Sequence, residues 1–223
     1  MAMRVTGVCV LWLVLAVSCG CGAGAAHAGP VASSAQTWGQ TPSGAVRGAA
    51  QALDTADAAL LDQLVDVEGL IGQAVDIFLD DAATPQGQAS LPPVLGMILS
   101  SVGSSAQARS SVRSLLQSEA GEFVRYGVRS GNFAGKPRDV APPSGMLAPL
   151  FADASLGRKE IRNVGDAVQD GETTWVPFSV YDHGNGNTYA VQGVLRRDGG
   201  LWRVVGIRNV RELMTKIRGE ATE

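Results

Sequence analysis

Residues 173–182 have the sequence TTWVPFSVYD, and the alternation within this stretch decides the fold prediction. Val176, Phe178 and Val180 fall on one face of a strand with this period, while polar and aromatic residues fall on the other face. The pattern predicts a β-strand with one buried face. Because that apolar face needs a partner surface, the strand must belong to a sheet that is covered by other elements.

Turn signals on both sides of this stretch predict an antiparallel meander. Asp170-Gly171 and Asp198-Gly199-Gly200 are hairpin signals, and the sequence at 183–187 is a Gly/Asn-rich turn. Asn209 caps a closing helix that ends at Ile217. The four predicted strands are 159–169, 173–182, 188–197 and 201–208.

The chain before the sheet has a helical period. Predicted helices begin near Thr41-Pro42, Thr55, Asp66, Ser90 and Ala106. Helices followed by a meander indicate an α+β fold, with the N-terminal helices packed on a four-stranded antiparallel sheet. We predict a single domain over 42–218, with a helical half at 42–130, a loop at 131–145 and a sheet half at 155–218.

The N-terminal segment predicts export from the cytoplasm. Arg4 precedes an apolar run over 5–18 that is shorter than the roughly 20 residues of a membrane span. Ala26 and Ala28 fit the rule for signal-peptide cleavage. We therefore predict a signal peptide at 1–28, a flexible leader at 29–41, and a periplasmic or extracellular protein.

Lipid anchoring at Cys19 is the alternative for this segment. A bacterial lipoprotein signal places Leu three residues before the cysteine, whereas Ala16 holds that position here and Leu15 comes one residue earlier. An anchor of this kind is the one membrane attachment that the sequence suggests. A mature chain that begins at Gly29 would exclude it.

Composition leaves few residues for chemistry after cleavage. All three cysteines and one of the two histidines precede Gly29, so the mature chain has 223 − 28 = 195 residues and a single histidine, His183. We predict no metal and no cofactor, and phosphate-loop and dinucleotide motifs are missing from the sequence. The net charge of −3 argues against a nucleic-acid partner.

Two stretches carry a resemblance to a known superfamily. Residues 52–66, ALDTADAALLDQLVD, resemble the opening helices of nuclear-transport-factor-like (cystatin-like cone) domains, and residues 198–207, DGGLWRVVGI, resemble their last strand. Within that superfamily the chain is similar to a bacterial exported family of unknown function. The resemblance covers about 45–80 and 155–210. It implies a curved sheet wrapped by helices, often with an apolar cone between them.

A binding site for an apolar ligand is one interpretation of the sheet aromatics. Such a pocket would be lined by Trp175, Tyr181, Tyr189 and Trp202, together with Leu95 and Ile98 from the uncharged segment 90–105. The other interpretation is that these residues are core, since aromatics commonly fill sheets.

Other polar residues favour structural roles. His183 lies in a glycine-rich turn and is predicted to be solvated, with no orienting partner. The acidic residues Asp76, Asp80 and Asp81 lack the spacing of a calcium loop. Helix caps or a solvated face are predicted for Asp54, Asp57, Asp62 and Asp66. A mixed solvated face is predicted for Arg109, Arg113, Arg125 and Arg129.

We therefore predict an exported, non-enzymatic envelope protein that binds an apolar small molecule or lipid, or a partner protein. A periplasmic lipid carrier is a more specific alternative. An enzyme of the ketosteroid-isomerase kind is a third, and it would need Tyr181 or Tyr189 beside a buried aspartate, whereas Asp182 and Asp198 are predicted to lie in turns. A hollow cone would indicate a carrier and a filled cone an interaction module.

Overall fold

The computed structural model describes residues 34–89, 96–97, 106–145 and 157–220. Seven helices are described, namely α1 (Ser34–Trp38), α2 (Pro42–Asp54), α3 (Ala58–Leu64), α4 (Val67–Ala82), α5 (Pro85–Ala89), α6 (Ala106–Arg129) and α7 (Val210–Glu220). The strands of the described chain are β1 (Lys159–Arg162), β2 (Val168–Asp170), β3 (Thr173–Asp182), β4 (Asn187–Asp198) and β5 (Leu201–Ile207). The predicted α+β class, with helices preceding an antiparallel sheet, is confirmed.

The sheet has four rows, and its first row is interrupted. β1 and β2 both pair with β3, β1 along Ser179–Asp182 and β2 along Thr173–Trp175, so they lie end to end. β4 and β5 follow in order. The sequence predicted one continuous strand over 159–169. It is interrupted after Arg162 because Asn163 takes a left-handed backbone conformation (φ 54°).

The sheet curls into a half-barrel. A bulge interrupts the pairing of β4 and β5 at Val194/Leu195, and bulges increase the local twist. Helix α2 contacts β3 and also both edge strands, β1 and β5. A flat sheet would hold those edges too far apart for one helix, so the curl brings both of them to α2.

The helix starts follow their capping residues. The side chain of Thr41 accepts a hydrogen bond from the Gly44 N–H at the start of α2. Asp57 and Asp66 cap α3 and α4 in the same way, which confirms their predicted role. At the corner between those helices, the Asp66 N–H donates to the Val204 carbonyl oxygen at 2.8 Å. This contact covers the outer edge of β5.

The core lies between the inner face of the sheet and the helices. We call the face that carries Val176, Phe178 and Val180 the inner face, and its side chains are buried as predicted. They share one hydrophobic cluster with the buried side chains of α2, α4 and α7. Helix α4 contacts β5 and also packs against α6. Its position between two layers explains why it is apolar on most of its surface.

The predicted flexible leader at 29–41 is corrected over its described part. Residues 34–38 form α1, in which Ala35 is fully buried. Trp38 packs so closely against Gly48 of α2 that a side chain at that glycine would overlap its ring. The Gly39 carbonyl oxygen accepts a hydrogen bond from the Trp202 N–H at 2.8 Å. The signal peptide, Cys19, Leu95 and Ile98 lie outside the described residues.

Of the helices in the described ranges, none combines the length and the apolar character that a membrane span requires.

Candidate functional site

A group of titratable side chains, two of them buried, lies at one end of the sheet. We define the hairpin end as Arg158–Arg162 together with Tyr181–Tyr189, which includes the turn between β3 and β4. Its inner face and its outer face each hold an ion pair. It also contains His183, the histidine that remains after the predicted cleavage.

A buried ion pair occupies the inner face of the hairpin end. Lys159 Nζ lies 2.7 Å from Asp182 Oδ1, and both side chains are 1% exposed. The two residues are register partners on β1 and β3. Burial lowers the pKa of Lys159, although the Asp182 carboxylate acts in the opposite direction. The prediction that Asp182 lies in a turn is wrong, since it is the last residue of β3.

Strand parity was the signal that could have found this pair. Asp182 continues the inward series of Val176, Phe178 and Val180, and Lys159 has the same parity as the buried Ile161. A polar residue at an inward position must find a partner. Asp182 ends the predicted strand 173–182 but was also expected to lie in the turn, and the alternation of the strand was therefore not applied to it.

The backbone beside the buried pair is fixed by α6 and the turn that follows it. The Lys159 N–H donates to the Phe133 carbonyl oxygen at 3.0 Å. The Phe133 ring is fully buried and fills the space that the missing side chain of Gly127 leaves open. Ser130, which follows the last residue of α6, is also buried. The pair is therefore enclosed by the turn at 131–136 as well as by the sheet.

Hydrogen bonds hold the turn of the hairpin end in one conformation. The Gly184 N–H donates to Asp182 Oδ1 at 2.7 Å, and the Gly186 N–H donates to the Asp182 carbonyl oxygen at 2.7 Å. The Asn187 N–H donates to Asn185 Oδ1 at 3.0 Å. Gly186 has a positive φ of 77°, which favours glycine at this position. The glycine-rich turn is therefore preorganised by its own hydrogen bonds.

The outer face of the hairpin end is organised around Glu160. Arg162 Nη2 donates to Glu160 Oε2 at 2.6 Å, and His183 Nε2 lies 2.8 Å from the same oxygen. The Arg162 hydrogen bond, with a further contribution from His183, lowers the pKa of Glu160 to about 2. The Arg162 guanidinium stacks 4.2 Å above the Tyr181 ring. His183 lies exposed in the turn, as predicted, but it has an orienting carboxylate, which the prediction did not give it.

Tyr189 connects the hairpin end to α7. Its hydroxyl donates to Glu220 Oε2 at 2.5 Å and accepts a hydrogen bond from Asn185 Nδ2 at 2.8 Å. Burial and the Glu220 carboxylate raise the pKa of Tyr189. Lys216 Nζ donates to the Thr188 carbonyl oxygen at 2.7 Å. These bonds fix α7 to the start of β4.

The predicted ligand-lining aromatics do not share one surface. Tyr189 lies on the inner face and is buried, as the alternative interpretation of these residues as core requires. Trp202 is half-buried against the core, with Arg197 beside its ring. Trp175 and Tyr181 alternate to the outer face of β3, where both are half-buried. The guanidinium of Arg208 stacks on the Trp175 ring, and that of Arg162 stacks on the Tyr181 ring.

The acidic residues in the second half of α4 bind arginines. The Asp76 carboxylate accepts hydrogen bonds from both Nε and Nη2 of Arg113, at 2.6 and 2.9 Å. These bonds lower the pKa of Asp76. Asp80 and Asp81 bind arginines of α6 and α7. Among the described residues, no group of three or more His, Cys, Asp or Glu could hold a metal ion.

The arginines of α6 are at least partly exposed, as the predicted mixed solvated face requires, but three of them also form ion pairs with other helices. Arg109 binds Asp80, and Arg125 approaches both Asp62 and Glu68. Arg129 instead pairs with Glu122 within α6. The cross-helix partners are 29 or more residues apart in sequence, so helical spacing gave no signal for them.

A scan against protein-family models found no matching family, and searches of the curated proteins and the solved structures found no similar protein. The resemblance to nuclear-transport-factor-like domains therefore stays a prediction.

Proposed function

We propose that this chain is an exported, non-enzymatic protein that binds a partner protein through the hairpin end. The observation that carries the proposal is the fully buried Lys159–Asp182 pair. The Asp182 carboxylate of this pair also accepts a hydrogen bond from the Gly184 N–H of an exposed turn. Loops that recognise partners work best when a rigid scaffold positions them before binding.

The energetics of a buried ion pair support a role beyond stability. Removing two charges from water costs several kcal/mol per ion, and their attraction repays this cost only with good geometry. An apolar pair of similar volume would often stabilise a fold as well or better. What an apolar pair cannot supply is the oxygen that fixes the Gly184 N–H. We therefore infer that the pair serves the conformation of the turn.

Packing on the inner face favours a partner protein over an apolar ligand. Val180, Tyr189 and Val191 of the sheet share a cluster with Leu213 and Met214 of α7. Side chains of the chain's own helices thus occupy the surface that a ligand of the cone would contact. The enzyme alternative has less support, because its acid and base candidates on the inner face, Asp182 and Tyr189, are each engaged by another side chain.

Site-specific photocrosslinking tests the proposal. A photoreactive amino acid replaces Thr188, an exposed residue at the hairpin end, in the exported protein of the producing cell. The matched control is Thr173, which is also an exposed threonine at the start of a strand but lies at the opposite end of the sheet. We expect one discrete protein adduct from Thr188, and little or no adduct from Thr173.

The adduct supports the proposal only if binding is reproduced with purified proteins. The captured protein is identified by mass, purified, and expected to bind the unmodified chain saturably. Adducts of equal yield at both positions, or none at Thr188, would refute the proposal. Native mass spectrometry of protein purified from the envelope gives an independent result. A bound lipid mass would favour the carrier alternative instead.

A further inference from the structure

The hairpin end is surrounded by basic side chains, although the whole chain has a net charge of −3. Arg158 and Arg162 belong to the hairpin end itself. Lys136 and Arg138 come from the turn after α6. We define these four residues as the basic face.

Backbone contacts place Lys136 and Arg138 beside the hairpin end. The turn that carries them begins with Gly131 and is joined to β1 by the bond from the Lys159 N–H to the Phe133 carbonyl oxygen. Gly135 of this turn lies against the side chain of Arg158. Lys136 and Arg138 are both exposed, and neither forms an ion pair with any residue in the described ranges.

Nearby acidic groups offset only part of this charge. Glu160 accepts a hydrogen bond from Arg162 and lies within hydrogen-bond distance of His183. Asp139 is an exposed neighbour of Arg138. Among the described residues, the basic face therefore keeps a positive balance of two, four cations against two carboxylates, without counting His183. Charge of one sign on an oppositely charged protein steers a complementary partner to that face.

We propose that the basic face binds an acidic segment of the partner protein. This inference rests on the proposed function and names the chemistry of its partner. Arg162 is positioned by its stack on Tyr181, and a guanidinium held in place can grip a carboxylate with two parallel hydrogen bonds.

An anionic lipid surface would use the same charges, but the apolar residues favour a protein segment. A protein that lies on a membrane presents large apolar side chains next to its basic ones. In the described part of the chain, the exposed large apolar residues are Met97 and Val168. Val168 pairs with Trp175, toward the opposite end of β3 from the hairpin end.

Charge reversal combined with crosslinking tests this inference. The variant K136E/R138E removes two cations from the basic face. The matched control is R196E/R197E, which reverses two exposed arginines near the opposite end of β4. Adduct yield from the photoreactive residue at Thr188 is measured in both backgrounds. We expect K136E/R138E to lower the yield by about tenfold and the control to change it by less than about twofold.

A peptide of defined sequence measures in solution whether the basic face prefers an acidic segment. A fluorescent decapeptide of alternating glutamate and serine is titrated into the purified mature chain, and its glutamine counterpart serves as the neutral control. We expect only the acidic peptide to bind, with an affinity that falls as the salt concentration is raised from about 50 mM to about 500 mM. Vesicles of phosphatidylglycerol are tested in parallel.

The outcomes separate this inference from the proposed function. A protein adduct at Thr188 that K136E/R138E leaves unchanged would overturn the acidic partner and leave the proposed function standing. A phospholipid adduct, or binding to vesicles without binding to the peptide, would show that the basic face binds a membrane surface and not an acidic protein segment. Absence of any Thr188 adduct in the wild type would refute the proposed function itself. Thermal unfolding of both variants checks that the fold is intact.

Discussion

At the scale of single residues, the hairpin end holds two ion pairs in different surroundings. Lys159 and Asp182 are removed from solvent, whereas the side chains of Arg162 and Glu160 are 42% and 21% exposed. Water and salt screen the second pair but reach the first very little. Removal of one partner should therefore have a much larger effect in the buried pair than in the exposed one.

The buried pair is expected to show strong coupling in a double-mutant cycle. Lys159→Met leaves a buried carboxylate, and Asp182→Asn leaves a buried ammonium, so each should lower the free energy of unfolding by about 3 kcal/mol. The double variant buries no charge, and its new asparagine side chain would keep an oxygen for the Gly184 N–H. We expect the double variant to lose clearly less free energy of unfolding than the two single variants lose together, as measured by urea denaturation. Additive losses would contradict the coupling.

Glu160→Gln is expected to change the acid sensitivity of the fold. The pKa of Glu160 lies below its ordinary 4.5, at about 2, because the folded state favours the carboxylate. Its contribution to stability is therefore complete above about pH 4.5 and is lost as the pH falls toward about 2. At about pH 6.5 the variant should be less stable than the wild type by about 1 kcal/mol.

The difference between Glu160→Gln and the wild type should close as the pH approaches about 2. Thermal unfolding at both pH values measures it. Glu172→Gln is the matched control, since Glu172 is an exposed glutamate of the β2–β3 turn. A stability difference that is the same at both pH values would show that the ionised carboxylate is not the cause.

At the scale of elements, α4 is held from two sides by unlike forces. Its apolar residues pack against the sheet and α6, whereas Asp76, Asp80 and Asp81 lie in its C-terminal half. Negative charge at that end opposes the helix dipole. Arginines of α6 and α7 neutralise these carboxylates, so the ion pairs compensate an unfavourable position as well as joining helices.

Arg113 is expected to contribute most among the arginines of α6, because both of its hydrogen bonds to Asp76 are short. Arg113→Met should lower the free energy of unfolding by about 1 kcal/mol in dilute buffer, and by less in about 1 M salt. Arg129→Met is the matched control, since its partner Glu122 is in the same helix at 3.6 Å. Equal losses from both substitutions, or a loss that salt does not reduce, would contradict this account.

At the scale of the whole molecule, local sequence patterns predicted the helices and strands. They did not predict features that depend on contacts between residues distant in sequence. Alternation over 173–182 identified the inner face of the sheet, and Asp66 marked a helix start, because each signal lies within a few residues. The helix predicted to begin near Thr55 begins instead at Ala58, with Asp57 as its cap. The pairing of Lys159 with Asp182 depends on the register between β1 and β3, which are separated in sequence by β2 and its turns. The placement of the sheet aromatics on different surfaces likewise follows from curl and register.

The N-terminal helix α1 also depends on contacts with distant residues that its own sequence does not reveal. Residues 34–38 are small or polar except for Trp38, and nothing in that short sequence distinguishes α1 from a leader. Its order comes from contacts with α2 and from the bond between Gly39 and Trp202 of β5. The segment that follows the predicted cleavage site thus covers part of the folded domain.

A chain that begins at Gln40 is therefore expected to be less stable than one that begins at Gly29, by about 3 kcal/mol in urea denaturation. Trp38→Ala in the longer chain should reproduce most of this loss, because it removes the ring that packs against Gly48. Thr37→Ala, at an exposed position of the same helix, should change the free energy of unfolding by less than about 0.5 kcal/mol. If the two chain lengths are equally stable, residues 34–39 are a leader after all, and their contacts with α2 and β5 contribute nothing to the fold.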